Sequence, residues 1–397
     1  MVLSPDVARV KPSITLAVTA RAKAMKAEGI DVISLSAGEP DFDTPKHICD
    51  AAVAAIMEGF TRYTPASGII ELKEAVCEKL ENDNGLSYTP SHVIINCGAK
   101  HSVFLGVFAL ISPGDEVIIP SPYWVSYPEM VRLAGGTPVI IEGKPENDIK
   151  ITAEQLKESI TPKTKLLILN SPSNPSGMVY TEEELKSLEK VIVESGIFVL
   201  SDEIYEKLIY DGVKHISMAS LSGDIFSKTI TVNGVSKSYC MTGWRIGYAA
   251  GPEEVIRGMA TVQSQETSNP CSISQKAALE ALTGPQDFLD PMIREMDRRR
   301  RYMNDRLNSM DGVSCIQPGG AFYMFPDVSG VYGKSFKGTV IDGSVALCEY
   351  MLNEQHIAIV PGAGFGAEKH VRISYANSME NLEKALDRFD NGLKELE

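Results

Sequence analysis

The stretch Leu166-Leu-Ile-Leu-Asn-Ser-Pro-Ser-Asn-Pro-Ser-Gly177 decides the fold of this 397-residue chain. Its first four residues form an apolar run, which predicts a buried strand, and the Pro-, Ser- and Asn-rich remainder predicts a loop. Thr181-Glu-Glu-Glu184 has the pattern of a helix capping box, and Ile197 to Ser201 is the next apolar run. Strand, helix and strand in this order predict a parallel α/β unit.

The same alternation continues on both sides, from about residue 46 to residue 260. Val93–Asn96, Glu116–Pro120 and Thr229–Val232 are predicted strands, and Ala99–Leu110 is a predicted helix. The strands are almost continuously apolar, as expected where helices cover both faces of a sheet. We therefore predict an α/β fold whose large domain, residues 46–290, has a mostly parallel sheet covered by helices.

The remainder of the chain has a different pattern. A long helix, strands at Ala321–Phe325, Ile357–Val360 and Val371–Ser374, and a final amphipathic helix predict a smaller α+β domain over residues 291–397. Residues 1–45 are predicted to be an N-terminal segment that joins this small domain. The run Asp297-Arg-Arg-Arg-Arg301 is predicted to be a solvated helix face, paired with acids at helical spacing.

Composition and charge exclude several classes of protein. The chain is 44% hydrophobic and 23% charged, which is typical of a globular protein and not of a disordered, collagen-like or disulfide-rich one. The 38 basic and 52 acidic residues give a net charge of −14, which disfavours nucleic acid and anionic membrane surfaces as partners. The longest apolar run, around residues 103–111, is about half the length that crosses a bilayer.

Cysteine usage and the N-terminus point to the cytoplasm. The 7 cysteines are scattered without C-x-x-C spacing, so neither a disulfide framework nor a thiolate metal site is indicated. We predict no metal. The start, Met1-Val-Leu-Ser-Pro-Asp6, lacks the layout of a signal peptide. The expected location is therefore cytoplasmic.

Polar side chains follow the predicted strands where ligands bind in open parallel sheets, beyond the carboxyl ends. Asn174, Asp202, Tyr205, Lys237 and Arg245 all lie in such segments. Each has an ordinary explanation when taken alone: a turn for the asparagine, a helix cap for the aspartate, a solvated side chain for the lysine. Together they place an amide, an acid, a phenol, an amine and a guanidinium at one edge.

Three segments resemble those of a known family. Ser236-Lys-Ser-Tyr-Cys-Met-Thr-Gly-Trp-Arg-Ile-Gly247 closely resembles the lysine motif of class I/II pyridoxal-phosphate aminotransferases. Asn170–Gly177 and Ser201–Tyr205 resemble two further motifs of this family, in the expected order. Gly38–Asp43 and Ser121–Pro128 are similar to its bacterial aspartate aminotransferase branch. The resemblance spans nearly the whole chain and implies the type I fold of pyridoxal-phosphate-dependent transferases.

The resemblance implies pyridoxal 5'-phosphate as cofactor and assigns roles around its ring. Lys237 would form a Schiff base with the cofactor aldehyde and, once displaced by substrate, move a proton as general base. Asp202 would keep the pyridine nitrogen protonated. Asn174 and Tyr205 would bond to the ring's phenolic oxygen, and Trp124 would provide a flat face.

The family also implies where the cofactor phosphate binds. The helix start at Gly98, Ala99 and Lys100 would provide backbone amides, and Arg245 would add a bidentate cation. Tyr63 matches a tyrosine that reaches the phosphate from the neighbouring subunit, which implies a homodimer with shared active sites. Many members have a phosphate-binding serine three residues before the lysine, where this chain has Gly234. A backbone amide is one candidate for this contact, and the sequence leaves the choice open.

Four further residues are expected to bind the substrate together with Trp124 and Asn174. Arg372 matches the arginine that binds the substrate α-carboxylate, and Gly38 matches a backbone contact beside it. Lys100 is expected to bind the distal carboxylate of a dicarboxylic substrate, and Thr15 to close over the same group. The alternatives are that Arg372 is a solvent-facing strand-edge residue and that Lys100 is exposed and inert.

The expected reaction is amino transfer from L-aspartate to 2-oxoglutarate, giving oxaloacetate and L-glutamate, by a ping-pong mechanism between the aldehyde and amine forms of the cofactor. The partners are thus small amino acids and 2-oxo acids. Alternatives are a prephenate or aromatic aminotransferase, or another reaction of the same cofactor on this fold. An aminotransferase-like transcription regulator is disfavoured, because there is no space for a helix-turn-helix extension before Val32.

One glycine-rich segment is similar to a dinucleotide-binding motif. Gly362-Ala-Gly-Phe-Gly-Ala367 imitates the glycine pattern of NAD-dependent dehydrogenases, but the next strand, at about Val371, leaves no space for the required helix. We predict that it is a turn between two strands.

Overall fold

The computed structural model describes residues 4–397. Its helices are α1 (Pro5–Ala8), α2 (Ile14–Ala27), α3 (Lys46–Met57), α4 (Ile70–Asn84), α5 (Ala99–Leu110), α6 (Tyr127–Leu133), α7 (Ala153–Ser159), α8 (Glu182–Ser195), α9 (Gly223–Phe226), α10 (Glu253–Glu266), α11 (Ser272–Thr283), α12 (Leu289–Asn308), α13 (Ser344–Asn353) and α14 (Met379–Lys394). Across residues 4–397, none of them combines the length and hydropathy needed to cross a membrane.

The strands include all of those that the sequence predicts. They are β1 (Ile33–Ser34), β2 (Val93–Asn96), β3 (Glu116–Ser121), β4 (Thr137–Glu142), β5 (Thr164–Asn170), β6 (Phe198–Asp202), β7 (Thr229–Gly234), β8 (Gly247–Ala250), β9 (Tyr323–Met324), β10 (Ser335–Phe336), β11 (Thr339–Val340), β12 (Ile357–Ala358), β13 (Val360–Pro361) and β14 (Val371–Ser374). The capping box at Thr181 is present at the start of α8.

A seven-stranded sheet with the order β2-β8-β7-β6-β5-β3-β4 forms the core of the larger part. β8 is antiparallel to both of its neighbours, and the other adjacent pairs are parallel. On β2, Ile94 packs into one hydrophobic cluster while Val93 and Ile95 pack into another. Apolar side chains are therefore covered on both faces, which confirms the predicted mostly parallel α/β architecture.

One edge of this sheet collects the polar segments. β5 and β6 end side by side, with Asn170 opposite Asp202. β7 ends at Gly234, which pairs with Gly247 at the start of antiparallel β8. On the other side of β8, Asn96 at the end of β2 also pairs with Gly247. The segments that follow β2, β5, β6 and β7, and the one that precedes β8, therefore meet at this edge.

The smaller part contains a three-stranded antiparallel sheet with the order β13-β14-β9. β1, from the N-terminal segment, pairs in parallel with β12, so that Ile33 lies opposite Ile357. This pairing supports the proposed division of the chain, which stays a prediction. Gly362–Phe365 is a 3-10 turn between β13 and β14, which confirms the interpretation of the glycine-rich segment as a turn.

The run of four arginines at 298–301 on α12 is only partly solvated, which corrects the prediction of a solvated helix face. Arg299 and Arg300 have side chains only 7% and 0% exposed, so this is not a fully solvated face. Arg299 is paired with Asp41, and Arg300 with Asp211. The predicted partners at helical spacing are present, Glu295 for Arg299 and Asp297 for Arg300. Asp41 and Asp211 lie in distant segments, so helical spacing alone did not reveal the burial; the other two arginines of the run are exposed as predicted.

Candidate active site

A cavity of about 240 Å³ lies at the polar edge of the seven-stranded sheet and is also lined by residues of α2 and of the small sheet. The structure brings together in its lining eleven of the thirteen predicted site residues: Thr15, Gly38, Ala99, Lys100, Trp124, Asn174, Asp202, Tyr205, Lys237, Arg245 and Arg372. Gly98 is not part of the lining, but it is the residue directly before Ala99, which is. Tyr63 lies outside it and is 91% exposed.

Lys237 occupies the loop that follows β7. Its Nζ donates a hydrogen bond of 2.5 Å to the carbonyl oxygen of Gly38. Burial lowers the pKa of Lys237 to about 8; Glu39 opposes this change, and the positive charges of Arg372 and Arg245 reinforce it. An amine with this pKa is neutral in a useful fraction of molecules near neutral pH, as a nucleophile or general base must be.

Asp202 is the last residue of β6 and is buried. Its Oδ2 accepts a hydrogen bond of 2.7 Å from the Tyr127 hydroxyl, and its Oδ1 accepts one of 3.3 Å from the Ile204 amide. Burial raises the pKa of Asp202 to about 6. A turn and not a helix follows, so the helix-cap explanation of Asp202 is wrong.

A chain of hydrogen bonds joins the phenol and amide groups of the cavity. The Tyr205 and Tyr323 hydroxyls are 2.9 Å apart, and Asn174 Nδ2 donates to the Tyr205 hydroxyl at 3.5 Å. Asn174 Oδ1 accepts from Arg372 Nη1 at 3.0 Å, and Arg372 Nη2 donates to the Ser36 carbonyl at 2.7 Å. The two predicted oxygen-binding groups are thus held beside the predicted carboxylate-binding arginine.

Arg372 lies on the central strand of the small sheet and is 2% exposed. Its guanidinium carbon lies 4.6 Å from the ring centre of Tyr323 and 5.1 Å from that of Phe365. Within residues 4–397, Arg372 Nε is buried without a hydrogen-bond partner. The structure excludes a solvent-facing strand-edge arginine, and a buried guanidinium with an unused N–H group is suited to an anionic ligand.

The start of α5 lies against the guanidinium of Arg245. Gly98 has a φ of 88°, and a Cβ there would collide with the Arg245 guanidinium. Arg245 Nη1 donates to the Thr242 carbonyl at 2.7 Å, and Nη2 donates to the Cys97 carbonyl at 3.2 Å. A fixed guanidinium beside the N-terminus of a helix is a favourable site for a phosphate group.

Gly234 is required by strand packing. A Cβ at this position would lie 2.8 Å from the Cα of Gly247, its partner on β8. The Gly234 amide donates to the side chain of Asn233 at 2.8 Å, so it is already in use. Ser236 lines the cavity, and its hydroxyl is available where the Gly234 amide is not.

Lys100 and Thr15 lie on the side of the cavity formed by α2 and the first turn of α5. Lys100 Nζ lies 5.1 Å from the ring centre of Trp124. Burial, followed by the charge of Arg245, lowers the pKa of Lys100 although part of the side chain is exposed. Among residues 4–397, Thr15 Oγ1 is buried without a partner, so it is free to bind a ligand oxygen.

Sequence reasoning did not single out Tyr127, Tyr323 or Ser236. Tyr127 and Ser236 lie inside motifs that the sequence analysis recognised, but a motif does not show which groups a side chain contacts. Tyr323 comes from the small sheet, and no spacing rule connects it to Tyr205.

Comparisons with known proteins identify the family and the fold. Residues 30–389 match the family model for aminotransferase class I and II. The aspartate/prephenate aminotransferase of Cereibacter sphaeroides is 52% identical over 97% of each chain. The aspartate aminotransferase of Geobacillus stearothermophilus is 51% identical over 98% of each chain. The crystal structure of an aspartate aminotransferase from Rhizobium meliloti superposes over 100% of each chain with a TM-score of 0.97 and 45% identity.

Proposed function

Since the chain belongs to the aminotransferase class I and II family, we propose that it transfers the amino group of L-aspartate to 2-oxoglutarate with pyridoxal 5'-phosphate as cofactor, giving oxaloacetate and L-glutamate. One observation carries the proposal. A buried amine of lowered pKa, Lys237, and a buried acid of raised pKa, Asp202, line a single cavity together with the buried guanidinium of Arg372. Opposite shifts of two neighbouring groups are typical of acid–base catalysis.

The residues of the cavity fit this cofactor. The helix start beside Gly98, together with Arg245 and Ser236, would hold the phosphate. Asp202 would pair with the pyridine nitrogen, and Asn174 and Tyr205 would contact the phenolic oxygen. When bound, pyridoxal phosphate supplies an aldehyde that captures amines and a ring that accepts electrons.

The chain's own residues then have defined tasks. Lys237 takes the proton from the substrate Cα and returns it on the cofactor side, and its lowered pKa permits both directions of transfer near neutral pH. Asp202 would hold the ring nitrogen in its protonated form by pairing its buried carboxylate with it. Since one cavity serves donor and acceptor in turn, the expected kinetics are ping-pong.

The same side chains suggest how a dicarboxylic substrate is selected. Arg372 would bind the α-carboxylate, while the carbonyl of Gly38 fixes the neighbouring amine of Lys237. Lys100 would pair with the distal carboxylate, because burying that group without a partner is unfavourable. Thr15 would donate to the same group from α2.

A second substrate class, prephenate or an aromatic acid, is favoured by one feature. A larger cavity of about 730 Å³ shares Lys100, Ser13 and Arg245 with the lining of the first. This space beyond Lys100 would admit a ring, and the flexible lysine stem can follow a longer substrate.

We also propose a homodimer, on the basis of Tyr63. This tyrosine is 91% exposed, and it lies between α3 and α4, which carry the exposed apolar side chains of Val53, Ile56, Met57 and Ile70. Exposed apolar groups of this kind are typical of interaction surfaces. The expected cytoplasmic location stays a prediction.

The function is tested with aspartate, tyrosine and alanine as amino donors and 2-oxoglutarate as acceptor, and with glutamate as donor and prephenate as acceptor. Oxaloacetate formation that depends on added pyridoxal phosphate, with aspartate as the best donor, is the expected result. A chain that binds pyridoxal phosphate but releases carbon dioxide, or that eliminates a β-substituent and releases ammonia without converting 2-oxoglutarate to glutamate, would instead belong to another reaction class.

Replacing Lys100 by alanine is expected to lower kcat/KM for aspartate while sparing alanine and aromatic donors. A hydrogen bond to a charged group contributes about 1.5–3 kcal/mol, which corresponds to roughly 10- to 150-fold in kcat/KM. Lys384→Ala is the matched control, because Lys384 pairs with Glu380 on the surface of α14. Equal losses for all donors would show that Lys100 serves the cofactor or the fold.

A further inference from the structure

The segment Asp202-Glu203-Ile204-Tyr205-Glu206 divides its polar side chains between two sides. Asp202 and Tyr205 line the cavity. Glu203 and Glu206 are almost as deeply buried, 1% and 6% exposed, but their partners come from other parts of the chain. Two buried carboxylates behind a catalytic turn require compensation, because a buried charge without a partner is strongly unfavourable.

Glu203 is held by four donors. Its Oε1 accepts hydrogen bonds from the hydroxyls of Ser201 and Ser217 at 2.8 and 2.9 Å and from the Met218 amide at 3.3 Å. Its Oε2 lies 3.0 Å from His215 Nε2. These contacts tie the end of β6 to the segment 215–218, and the His215 imidazole is the one titratable donor among them.

Glu206 is held from α4. It forms an ion pair with Lys79 and accepts a hydrogen bond of 2.9 Å from Asn84 Nδ2. Lys79 Nζ also donates to Asn84 Oδ1 at 2.7 Å and lies 3.6 Å from Asp83, which pairs with Lys207 at 2.8 Å. Burial would raise the pKa of Glu206, but Lys79 and His215 lower it to about 2, so this carboxylate is ionised at neutral pH.

We propose that Lys79, Glu203, Glu206 and His215 form a positioning network that fixes the Asp202–Tyr205 turn against the cofactor and requires a protonated His215 for its charge balance. We call these four residues the rear network. This inference rests on the proposed function, because the proposed function places the Asp202–Tyr205 turn against the cofactor. The rear network adds residues that touch neither cofactor nor substrate.

The charge count supports the role of His215. Its imidazole, Glu203 and Glu206 bring one nitrogen and two carboxylate oxygens within 4.8 Å of one another. With His215 protonated, two cations oppose two anions; with His215 neutral, one negative charge remains unbalanced behind Asp202. The outer pair of Asp83 and Lys207 balances itself.

The phenols that face the network do not change its charge, and Asp202, on the cavity side of Glu203, is ionised above about pH 6. The phenols of Tyr88, Tyr239 and Tyr248 lie near its glutamates, and burial raises the pKa of each far above its usual range, so they stay neutral. Burial would lower the pKa of His215, but the hydrogen bond and charge of Glu203 outweigh it and raise that pKa. The stabilisation is therefore present below the ordinary histidine pKa and is lost as pH rises through the raised value.

The test uses His215→Gln, because glutamine can still donate to Glu203 but carries no charge. In the full chain freed of cofactor, the dissociation constant for pyridoxal phosphate is expected to rise by about tenfold to a hundredfold at pH 7. Wild type and variant share the titrations of Asp202 and Lys237, so the ratio of the variant's constant to the wild-type constant isolates His215. This ratio should fall towards one as the pH increases from 6 to 9, because His215 loses its proton in the wild type. Glu380→Gln, on the surface of α14, is the matched control and should match wild type.

The double variant His215→Gln, Glu203→Gln restores the balance between Lys79 and Glu206. At pH 7 it is expected to regain cofactor affinity to within about threefold of wild type, without the part of the pH dependence that comes from His215. It tests the proposal by itself if the single variant does not fold. Variants that change only the melting temperature, with unchanged affinity and pH profile, would overturn the inference and leave the proposed function intact. A wild-type chain that does not bind pyridoxal phosphate overturns both.

Discussion

Replacing Lys237 by alanine is expected to remove the covalent attachment of pyridoxal phosphate and to lower kcat by about 10²–10⁴-fold, the usual contribution of a positioned general base. The expectation follows from the position of the amine. Its Nζ is fixed on the Gly38 carbonyl, in the same cavity as Asp202 and Arg372. Arg245 and Arg372 can attract the anionic groups of cofactor and substrate, but neither can form an imine or accept a proton.

The measurement is borohydride reduction of the cofactor-loaded chain followed by peptide mapping. Burial lowers the pKa of Lys237 to about 8, so about one amine in ten is neutral at pH 7, against roughly one in three thousand at an ordinary lysine pKa. The capture rate should therefore fall as the pH decreases below about 8.

Lys73→Ala is the matched control for this experiment. Burial also lowers the pKa of Lys73, but this lysine lies on α4 and does not line the cavity. A reduced adduct on Lys73 or on any lysine other than Lys237 would contradict the assignment.

The sheet was predictable where its strands are strongly apolar and less so elsewhere. Val93–Asn96 and Ala99–Leu110 have the predicted bounds, because a continuous apolar run and a glycine-started helix leave few alternatives. β8, Gly247–Ala250, was not predicted: four small or aromatic residues after a turn resemble a loop. β4, Thr137–Glu142, was not predicted either, because it contains a proline and lies at the edge of the sheet, where the apolar pattern is weak.

The candidate site was predictable to the extent that it follows strand ends. Asn174, Asp202 and Lys237 each lie at or just beyond a carboxyl end of adjacent strands, so one topological rule brings them together. The Tyr323 contact to Tyr205 and the burial of Arg300 depend on how the small sheet and α12 pack against other segments. Such contacts between distant segments are properties of the folded chain and have no local signal.

Replacing Asp202 by asparagine is expected to leave pyridoxal phosphate bound but to lower kcat by about 10²–10³-fold, the usual effect of removing one preorganised electrostatic partner. An amide keeps nearly the same volume and can still hydrogen-bond to the ring nitrogen. It has no negative charge to keep that nitrogen protonated. Asp305→Asn, at an exposed position of α12, is the matched control and should retain wild-type turnover.

The pH dependence of cofactor binding makes this test specific for the charge of Asp202. Burial raises its pKa to about 6 in the chain without cofactor, so the carboxylate is ionised above that pH and becomes neutral as the pH falls through it. Wild-type affinity for pyridoxal phosphate should therefore weaken below about pH 6, whereas Asp202→Asn should be insensitive in this range.

Tyr127→Phe gives a second, graded test of the same carboxylate. The Tyr127 hydroxyl donates to Asp202 Oδ2 at 2.7 Å and so stabilises the ionised form. Its removal is expected to shift the midpoint of the wild-type transition to higher pH while the charge itself remains available. Near-wild-type turnover in Asp202→Asn, or the same acid transition in all three proteins, would show that Asp202 only holds the turn to Ile204 and that the ring nitrogen is protonated by another group.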